Sequence, residues 1–228
     1  MVPRVIRLRR PVVLSVQEGR FVPERGAALL DDIDARWDAL CSANPAYHDG
    51  AVYHVLGVHR NGHGGASVHV IESSYRFQAV QTPAAGSGSG ETGDFDVGHR
   101  GLGVRGIVRL GGDGKVLLGR RSQHVGRYPG MWEFAPAGGL PLGAEPASAL
   151  LDELREETGL ESSSEPIAVA VMFDDVARTW EIVFAIAAPS TDVRCATGEY
   201  SELAWFGPME LPAELSHMTS MMKALLRD

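Results

Sequence analysis

Apolar residues recur along this chain at two spacings, one typical of β-strands and the other of amphipathic helices. Runs with strand character, bounded by turn residues, predict strands near residues 12–16, 52–58, 67–71, 75–80, 101–110, 115–121, 132–134, 166–173, 179–187 and 203–206. Helical spacing predicts three helices, at residues 27–40, 146–158 and 213–226. The core-facing stripe predicted for the first helix consists of Leu30, Ile33, Trp37 and Leu40.

The helix predicted at residues 146–158 carries a group of carboxylates. Pro146 suits an early helical position, and Gly159 suits the left-handed residue that ends a helix. At about 100° per residue, Glu153, Glu156 and Glu157 fall together on one flank of the apolar stripe. Their like charges disfavour one another at these spacings, and a hard cation such as Mg²⁺ would remove that penalty. Glutamate-rich helices are more often solvated surfaces, so the pattern needs support from its surroundings.

That support comes from the segment before the helix, where a predicted strand leads into a turn at Gly138 and Gly139. A glycine backbone can approach a phosphate closely. From Gly139 onward the sequence resembles the signature motif of the Nudix hydrolases, which is called the Nudix box. In that motif a glycine and a glutamate precede the run Arg-Glu-U-x-Glu-Glu-x-Gly-U, where U is an aliphatic residue. The second half of the box matches in register at Glu153, Leu154, Glu156, Glu157, Gly159 and Leu160.

The first half of the box departs from the family pattern. Gly139 and Glu145 keep the expected mutual spacing, but the segment that follows is one residue short. Asp152 stands where the family has an arginine, which mainly orients the acids there. The glutamates therefore match the family motif, whereas the shortened segment does not match the family's geometry between the loop and the helix.

The resemblance implies a fold, a cofactor and a set of catalytic groups. The fold is an α/β/α sandwich around a mixed β-sheet, here with an N-terminal α+β extension. Glu153, Glu156 and Glu157 would be the catalytic carboxylates and the ligands of Mg²⁺, with Mn²⁺ as an alternative ion.

Other residues are candidates for contact with a substrate. Strand alternation puts Arg120 and Arg121 on opposite faces, and related sequences favour Arg121 as the phosphate-facing one over an exposed arginine at a strand end. The backbone amides of Gly138 and Gly139 would stabilise charge on phosphoryl oxygens. Trp132 could stack on a nucleobase, although a core position is the more common one for such a residue.

A loop beyond the box often supplies the family with a further glutamate that acts as a base or an extra ligand. The candidates in this chain are Glu199 and Glu202. The sequence does not choose between them, and either one alone is more often a solvated loop acid.

The N-terminal half resembles Nudix proteins of the UDP-glucose pyrophosphatase type in the segments 44–57, 74–81 and 98–108. A glycine- and serine-rich segment separates the second of these from the third. We therefore predict an N-terminal α+β region at residues 1–81, a loop or linker at 82–97 and a hydrolase domain at 98–228. A surface loop within one continuous fold is the alternative.

The composition narrows the classes of partner and compartment. A net charge of −8 argues against a nucleic-acid or membrane-surface partner, and no apolar stretch has the length of a transmembrane helix. Cys41 and Cys195 predict buried reduced thiols in a cytoplasmic protein rather than a disulfide. The histidines of the N-terminal half lack the spacing of a zinc site and predict structural or exposed side chains: His54, His59, His63 and His69.

Two functions follow from these patterns. The first is Mg²⁺-dependent hydrolysis of a nucleoside diphosphate linked to a second group, such as a sugar, which yields a nucleoside monophosphate and a phosphorylated product. The alternative is a Nudix module that binds a nucleotide for regulation with weak or no catalysis, because the box is short and lacks its arginine. The small-molecule partner is a nucleoside diphosphate derivative in both cases, and a homodimer is left open.

Overall fold

The computed structural model describes residues 5–24, 27–45, 47–81, 95–112 and 114–226. Most of the predicted linker, residues 82–94, lies outside the described residues. The strands are β1 (Val5–Arg7), β2 (Val12–Arg20), β3 (Ala51–Arg60), β4 (Ala66–Ser74), β5 (Gly101–Leu110), β6 (Val116–Arg121), β7 (Trp132–Phe134), β8 (Ala137–Gly139), β9 (Ile167–Asp174), β10 (Thr179–Ala188) and β11 (Tyr200–Phe206). The helices are α1 (Ala27–Ala43), α2 (Tyr75–Ala79), α3 (Pro146–Glu153) and α4 (His217–Met222), with a π-helical turn (Leu154–Thr158) after α3 and a 3₁₀ turn (Lys223–Leu225) after α4.

The described strands form one mixed sheet of eleven strands. Its main path runs in the order β1-β9-β10-β5-β3-β4-β2. The pairs β5–β10 and β2–β4 are parallel, and the other pairs on this path are antiparallel. Off the path, β6 pairs with β5, β7 and β11, and β8 pairs with β5. Strand β5 is therefore the element that connects every part of the sheet near the box.

Residues on opposite faces of the central strands belong to different hydrophobic cores. In β5, Val104 packs in the core that includes Leu150 of α3, whereas Ile107 packs in the core that includes Met218 of α4. Because successive side chains of a strand point to opposite faces, α3 and α4 cover opposite sides of the sheet. The predicted α/β/α sandwich around a mixed sheet is confirmed.

The N-terminal strands join this sheet at a seam between β3 and β5. His54 of β3 pairs with Gly101 of β5, and the Val55 N–H donates a hydrogen bond of 2.8 Å to the Arg100 carbonyl. A third core lies beside the seam and contains Ile33 of α1 together with Phe77, Val80 and Val97. The predicted division into regions at residues 81 and 97 stays a prediction.

The strand predicted at residues 75–80 is wrong, because Tyr75–Ala79 form the helix α2 rather than an extension of the sheet. The Asp49 carboxylate accepts hydrogen bonds from the Ser74 hydroxyl at 2.6 Å and from the Arg76 N–H at 3.0 Å. It thus satisfies a backbone donor that the first turn of a helix leaves free. The N–H of Tyr75 bonds to the Gly50 carbonyl in the same way.

Three smaller predictions also need correction. Leu30 of α1 is exposed, and its neighbour Leu29 packs against the third core instead. The C-terminal helix begins at His217 rather than near residue 213, because Leu215 forms a parallel bridge with Trp132. The cysteines are free, but neither is buried as predicted, because Cys41 is half-buried and Cys195 is exposed. Among the helices of the described residues, none is both long and apolar enough to cross a bilayer.

Candidate active site

The acidic helix, which we define as residues 146–158, consists of α3 and the π-helical turn after it. Glu145 caps its start by accepting a hydrogen bond of 2.9 Å from the Ser148 N–H, and Pro146 lies in the first turn. Gly159 ends it with a φ of 72°, a left-handed conformation that glycine adopts without strain. Both predicted ends of the helix are confirmed.

The π-helical turn changes where the three predicted metal ligands point. Its hydrogen bonds join residues five apart, so each residue advances by less than the roughly 100° of an α-helix. Glu157 is buried, Glu153 is half-buried and Glu156 is exposed. The structure therefore brings Glu153 and Glu157 against the sheet and leaves Glu156 on the outer side.

The carboxylates of Glu153 and Glu157 lie where ionisation is unfavourable. Burial is the largest cause and raises the pKa of Glu153 to about 7 and the pKa of Glu157 to about 9. The negative charge of Glu199 is the second cause for both groups. A hydrogen bond of 3.1 Å from the Ala137 N–H to Glu157 Oε2 acts in the opposite direction. Within the described residues neither carboxylate forms an ion pair, so the negative charge here is not offset by a basic side chain.

The two glycines of the turn differ in the space around them. A Cβ on Gly138 would clash with the carboxylate of Glu153, because that side chain lies directly over the Gly138 backbone. A Cβ on Gly139 would meet no atom within 4 Å. The predicted close approach of backbone and acid therefore occurs at Gly138, whereas Gly139 lines an open cavity.

Arg121 belongs to a buried ion-pair network centred on Glu133. Arg121 Nη1 lies 2.8 Å from Glu133 Oε1, and Arg105 Nη1 lies 2.9 Å from Glu133 Oε2. The Tyr200 hydroxyl donates a third hydrogen bond to Glu133, at 3.2 Å. Burial alone would raise the pKa of Glu133, but the two arginines hold it below its usual value. The sequence analysis missed Glu133, although a charged residue between Trp132 and Phe134 in a buried strand indicates a paired carboxylate.

The structure distinguishes the candidates that the sequence left open. Arg121 faces this network, whereas Arg120 pairs with the exposed Glu214 at 3.6 Å. Glu199 Oε2 lies 3.4 Å from Arg121 Nη1, and Glu202 is exposed on β11 opposite Arg120. Arg121 and Glu199 therefore lie together beside the acidic helix.

A cavity of about 1100 Å³, which we call the large cavity, opens in front of these residues. Arg121, Gly139 and Glu199 line it from the C-terminal half of the chain, and we call this group its charged side. The N-terminal half contributes a second group, which we call its aromatic side: Tyr47, Tyr75, Gln78 and Gln81. The volume of the cavity lies just above the range of roughly 300–1,000 Å³ that is usual for small-molecule sites.

Two further residues from the sequence analysis lie away from the large cavity. Trp132 is buried in the core around α4 and packs edge-on against Phe206, with ring centroids 5.1 Å apart. Trp132 therefore occupies a core position, which was the alternative to stacking on a nucleobase. Asp152, which replaces the family's arginine, is exposed and accepts a hydrogen bond of 2.9 Å from Arg155.

A different group of side chains has the close spacing of metal ligands. Ligand atoms of Asp174, Asp175 and His217 all lie within 4.8 Å of one another, and in the described part of the chain the three glutamates of the box do not meet that spacing. Asp174 accepts two hydrogen bonds from the Tyr128 hydroxyl, at 2.9 and 2.7 Å, and His217 Nε2 lies 2.8 Å from Asp175 Oδ1. These three side chains are thus already bonded to other protein groups, and their spacing identifies no ion.

Comparison with known proteins assigns the chain to a family. The family model described as NUDIX domain matches residues 100–226, which is more than half of the chain. The chloroplastic Nudix hydrolase 20 of Arabidopsis thaliana is 34% identical over 77 residues. Those residues make up 34% of this chain and 21% of that protein, so the chain covers only about a fifth of the length of this relative.

Solved structures with the same family name are similar over about half of the chain. A NUDIX hydrolase from Nitrosomonas europaea has 21% identity and a TM-score of 0.46, covering 55% of this chain and 69% of its own. The NUDIX domain of NrtR from Shewanella oneidensis, solved with ADP ribose, has 21% identity and a TM-score of 0.43, covering 56% of this chain and 88% of its own.

Proposed function

Because the chain belongs to the Nudix family of pyrophosphohydrolases, we propose that it hydrolyses a nucleoside diphosphate linked to a second group, X. The products are a nucleoside monophosphate and phosphorylated X. The observation that carries this proposal is the position of Glu153 and Glu157 next to Glu199, which in turn lies beside Arg121 in the lining of the large cavity. Such a site combines unpaired carboxylates with a fixed cation, which suits a substrate that carries phosphates together with a divalent ion.

The residues of the box fit a Mg²⁺ ion. Carboxylate oxygens are the ligands that Mg²⁺ prefers, and Glu153 and Glu157 supply them without a basic side chain as competitor. Burial raises the pKa of both groups, and a divalent cation would restore their charged forms. We propose Glu153 and Glu157 as ligands, and Glu156 as a third ligand that would have to turn inward from the outer side of the helix. When bound, the ion would neutralise the diphosphate and lower the pKa of a water molecule.

The remaining roles follow from the contacts of each side chain. Glu133 fixes the Arg121 guanidinium, so that it can bind a phosphoryl oxygen without reorganising during the reaction. Glu199 has 47% of its side chain exposed and can exchange a proton with solvent. We propose that Glu199 takes the proton of the attacking water, whose oxygen bonds to phosphorus as the bridging P–O bond breaks. The leaving phosphate keeps the bridging oxygen.

The N-terminal half supports a narrower proposal for X. Its resemblance to proteins of the UDP-glucose pyrophosphatase type favours a sugar, so nucleotide sugars are the first substrates to test. We also propose a cytoplasmic location, which the two free cysteines fit.

The test is a substrate panel in Mg²⁺ and Mn²⁺, with nucleotide sugars, ADP-ribose, dinucleotides and nucleoside triphosphates. We expect release of a monophosphate from at least one nucleotide sugar, and its loss when the metal is chelated. Glu157→Gln should lower kcat/KM by about 100-fold and abolish the rise in the unfolding midpoint that Mg²⁺ causes. Glu161→Gln, an exposed acid just after the acidic helix, should behave as the wild type.

Two outcomes would contradict this assignment. If Glu157→Gln keeps full activity, Glu157 is not a metal ligand. If no substrate turns over while a nucleotide still raises the unfolding midpoint, the chain is the regulatory binding module that the short box suggested.

A further inference from the structure

Gln81 lines the large cavity and has a polar side chain without a partner. The residue is 3% exposed, and neither Nε2 nor Oε1 forms a hydrogen bond with any residue that the structure describes. Buried amides in folded proteins nearly always have partners, so an unpaired one beside a cavity points to a ligand that supplies them. The side chain offers one donor and one acceptor next to each other.

The backbone at Gln81 is fixed by an arginine of a neighbouring loop. Arg127 Nη2 donates hydrogen bonds to the carbonyls of Gln78 at 3.3 Å and of Gln81 at 3.5 Å. Arg127 therefore connects the loop after β6 to the end of α2. A side chain on a backbone held in this way can present its amide in a defined direction.

Two tyrosines provide an aromatic surface in the same cavity. The rings of Tyr47 and Tyr75 have centroids 6.4 Å apart and planes only 22° from parallel. Trp37 packs edge-on against both rings, with centroids 6.1 and 6.4 Å away and planes at 88° and 84°. Trp37 thus supports the two rings while they line the cavity.

We propose that this side of the large cavity binds the nucleobase of the substrate, with the Gln81 amide on the edge of the base and Tyr47 and Tyr75 on its face. A glutamine amide matches base edges, which present a donor beside an acceptor, and aromatic rings stack on any base. The inference rests on the proposed function, because it takes the ligand to be a nucleotide. Arg121 and Glu199, which line the same cavity, would then face the phosphates.

The experiment measures binding without turnover. The dissociation constants of the four common ribonucleoside 5′-monophosphates and of ribose 5-phosphate are determined by titration calorimetry. We define the base contribution as the ratio of the ribose 5-phosphate constant to that of the best monophosphate. We expect a ratio of about 100 in the wild type, a roughly tenfold smaller ratio in Gln81→Leu and a roughly fivefold smaller one in Tyr47→Leu. Gln17→Leu, the same change at an exposed position of β2, should leave the ratio unchanged.

Stability of the ligand-free variants separates recognition from a structural role. Because the Gln81 amide has no partner, Gln81→Leu should be at least as stable as the wild type in urea. A folded Gln81→Leu with an unchanged base contribution would overturn the proposal, as would a wild type that binds no monophosphate better than ribose 5-phosphate. Equal weakening of ribose 5-phosphate and of the monophosphates would instead assign Gln81 to the sugar, and the inference would be wrong.

A second substitution keeps the test decisive if leucine does not fit. Gln81→Met has a shape closer to glutamine and should reduce the base contribution to the same extent. If both variants unfold, the amide is structural and the proposal fails. Absence of hydrolysis in the substrate panel does not affect these measurements, so the two proposals can fail separately.

Discussion

The two sides of the large cavity differ in how the buried polar side chains are hydrogen-bonded. Glu133 is shared by Arg105, Arg121 and Tyr200, at distances between 2.8 and 3.2 Å. In the lining of the same cavity, Gln81 has a side chain without a hydrogen bond to any described residue, although the backbone around it is fixed. Arg121, which pairs with Glu133, lines that cavity as well.

The difference separates positions that determine the fold from positions that determine the ligand. A side chain with several buried ionic partners cannot change without leaving one of them unpaired. A buried amide without partners can be replaced by an apolar group at little cost to the free energy of unfolding. We therefore expect substitutions near Glu133 to reduce stability and activity together, and those near Gln81 to alter binding alone.

The strongest test of this comparison is Glu133→Gln. The neutral amide would leave Arg105 and Arg121 buried with reduced compensation, because Glu181, at 4.0 Å, is then the one carboxylate among the described residues that pairs with Arg105. We expect the free energy of unfolding to fall by about 3–5 kcal/mol in urea titrations, with activity lost as well. Glu199→Gln is the matched control, since its partial exposure should limit the change in stability to below about 1 kcal/mol while activity falls. Equal stability of the two variants would remove the distinction between the two sides.

A smaller effect is expected at the glycine turn. Ala at position 138 would displace the Glu153 carboxylate, which can rotate away because it is the end of a flexible side chain. We expect Gly138→Ala to lower the free energy of unfolding by about 1–2 kcal/mol and kcat by tenfold or more. Gly139→Ala has open space around its new methyl group and should stay within about 0.5 kcal/mol of the wild type. If both variants unfold at the same urea concentration, the contact over Gly138 is not important for packing.

The two sides of the cavity also differ in how far the sequence predicted them. The acidic helix could be predicted because its signals are local: Pro146 and Gly159 mark its ends, and the carboxylate spacing falls between them. Its π-helical turn was not predicted, since the glutamate positions were derived from regular α-helical geometry. The mixed sheet and the choice of Arg121 over Arg120 came from the family resemblance, because strand alternation only placed the two arginines on opposite faces.

The aromatic side of the cavity could not be predicted in the same way. Residues 75–80 have a strand-like composition, and their helical form depends on the carboxylate of Asp49, which lies 27 residues before Arg76. Gln81 belongs to no motif, and it stands out because its buried amide lacks hydrogen-bond partners among the described residues of the folded structure. Contacts between residues that are distant in sequence therefore form the part of the site that local sequence patterns did not predict.

A comparison of Arg121 with Arg120 tests whether the charged side needs its exact geometry for catalysis. Arg121→Lys keeps a positive charge for Glu133 but loses the planar fork that binds two partners at once. We expect kcat/KM to fall by about 10- to 100-fold while the protein stays folded. Arg120→Lys, on the other face of β6, should change kcat/KM by less than about twofold. Similar losses in both variants would mean that strand orientation does not select the phosphate-binding arginine.

The smallest expected effect concerns acid stability at the seam where the N-terminal strands join β5. His99 is fully buried, neither ring nitrogen bonds to any of the described residues, and burial lowers its pKa to about 3. Between pH 6.5 and pH 3 the unfolded chain binds a proton there that the folded chain does not, so the free energy of unfolding falls as the pH falls. Urea titrations at pH 7 and pH 5.5 should show a loss about 1 kcal/mol larger in the wild type than in His99→Leu, and subtracting the two proteins cancels the contribution of the carboxylates. An equal loss in both would show that His99 is protonated in the folded protein, and the seam would then be more open to water than its packing indicates.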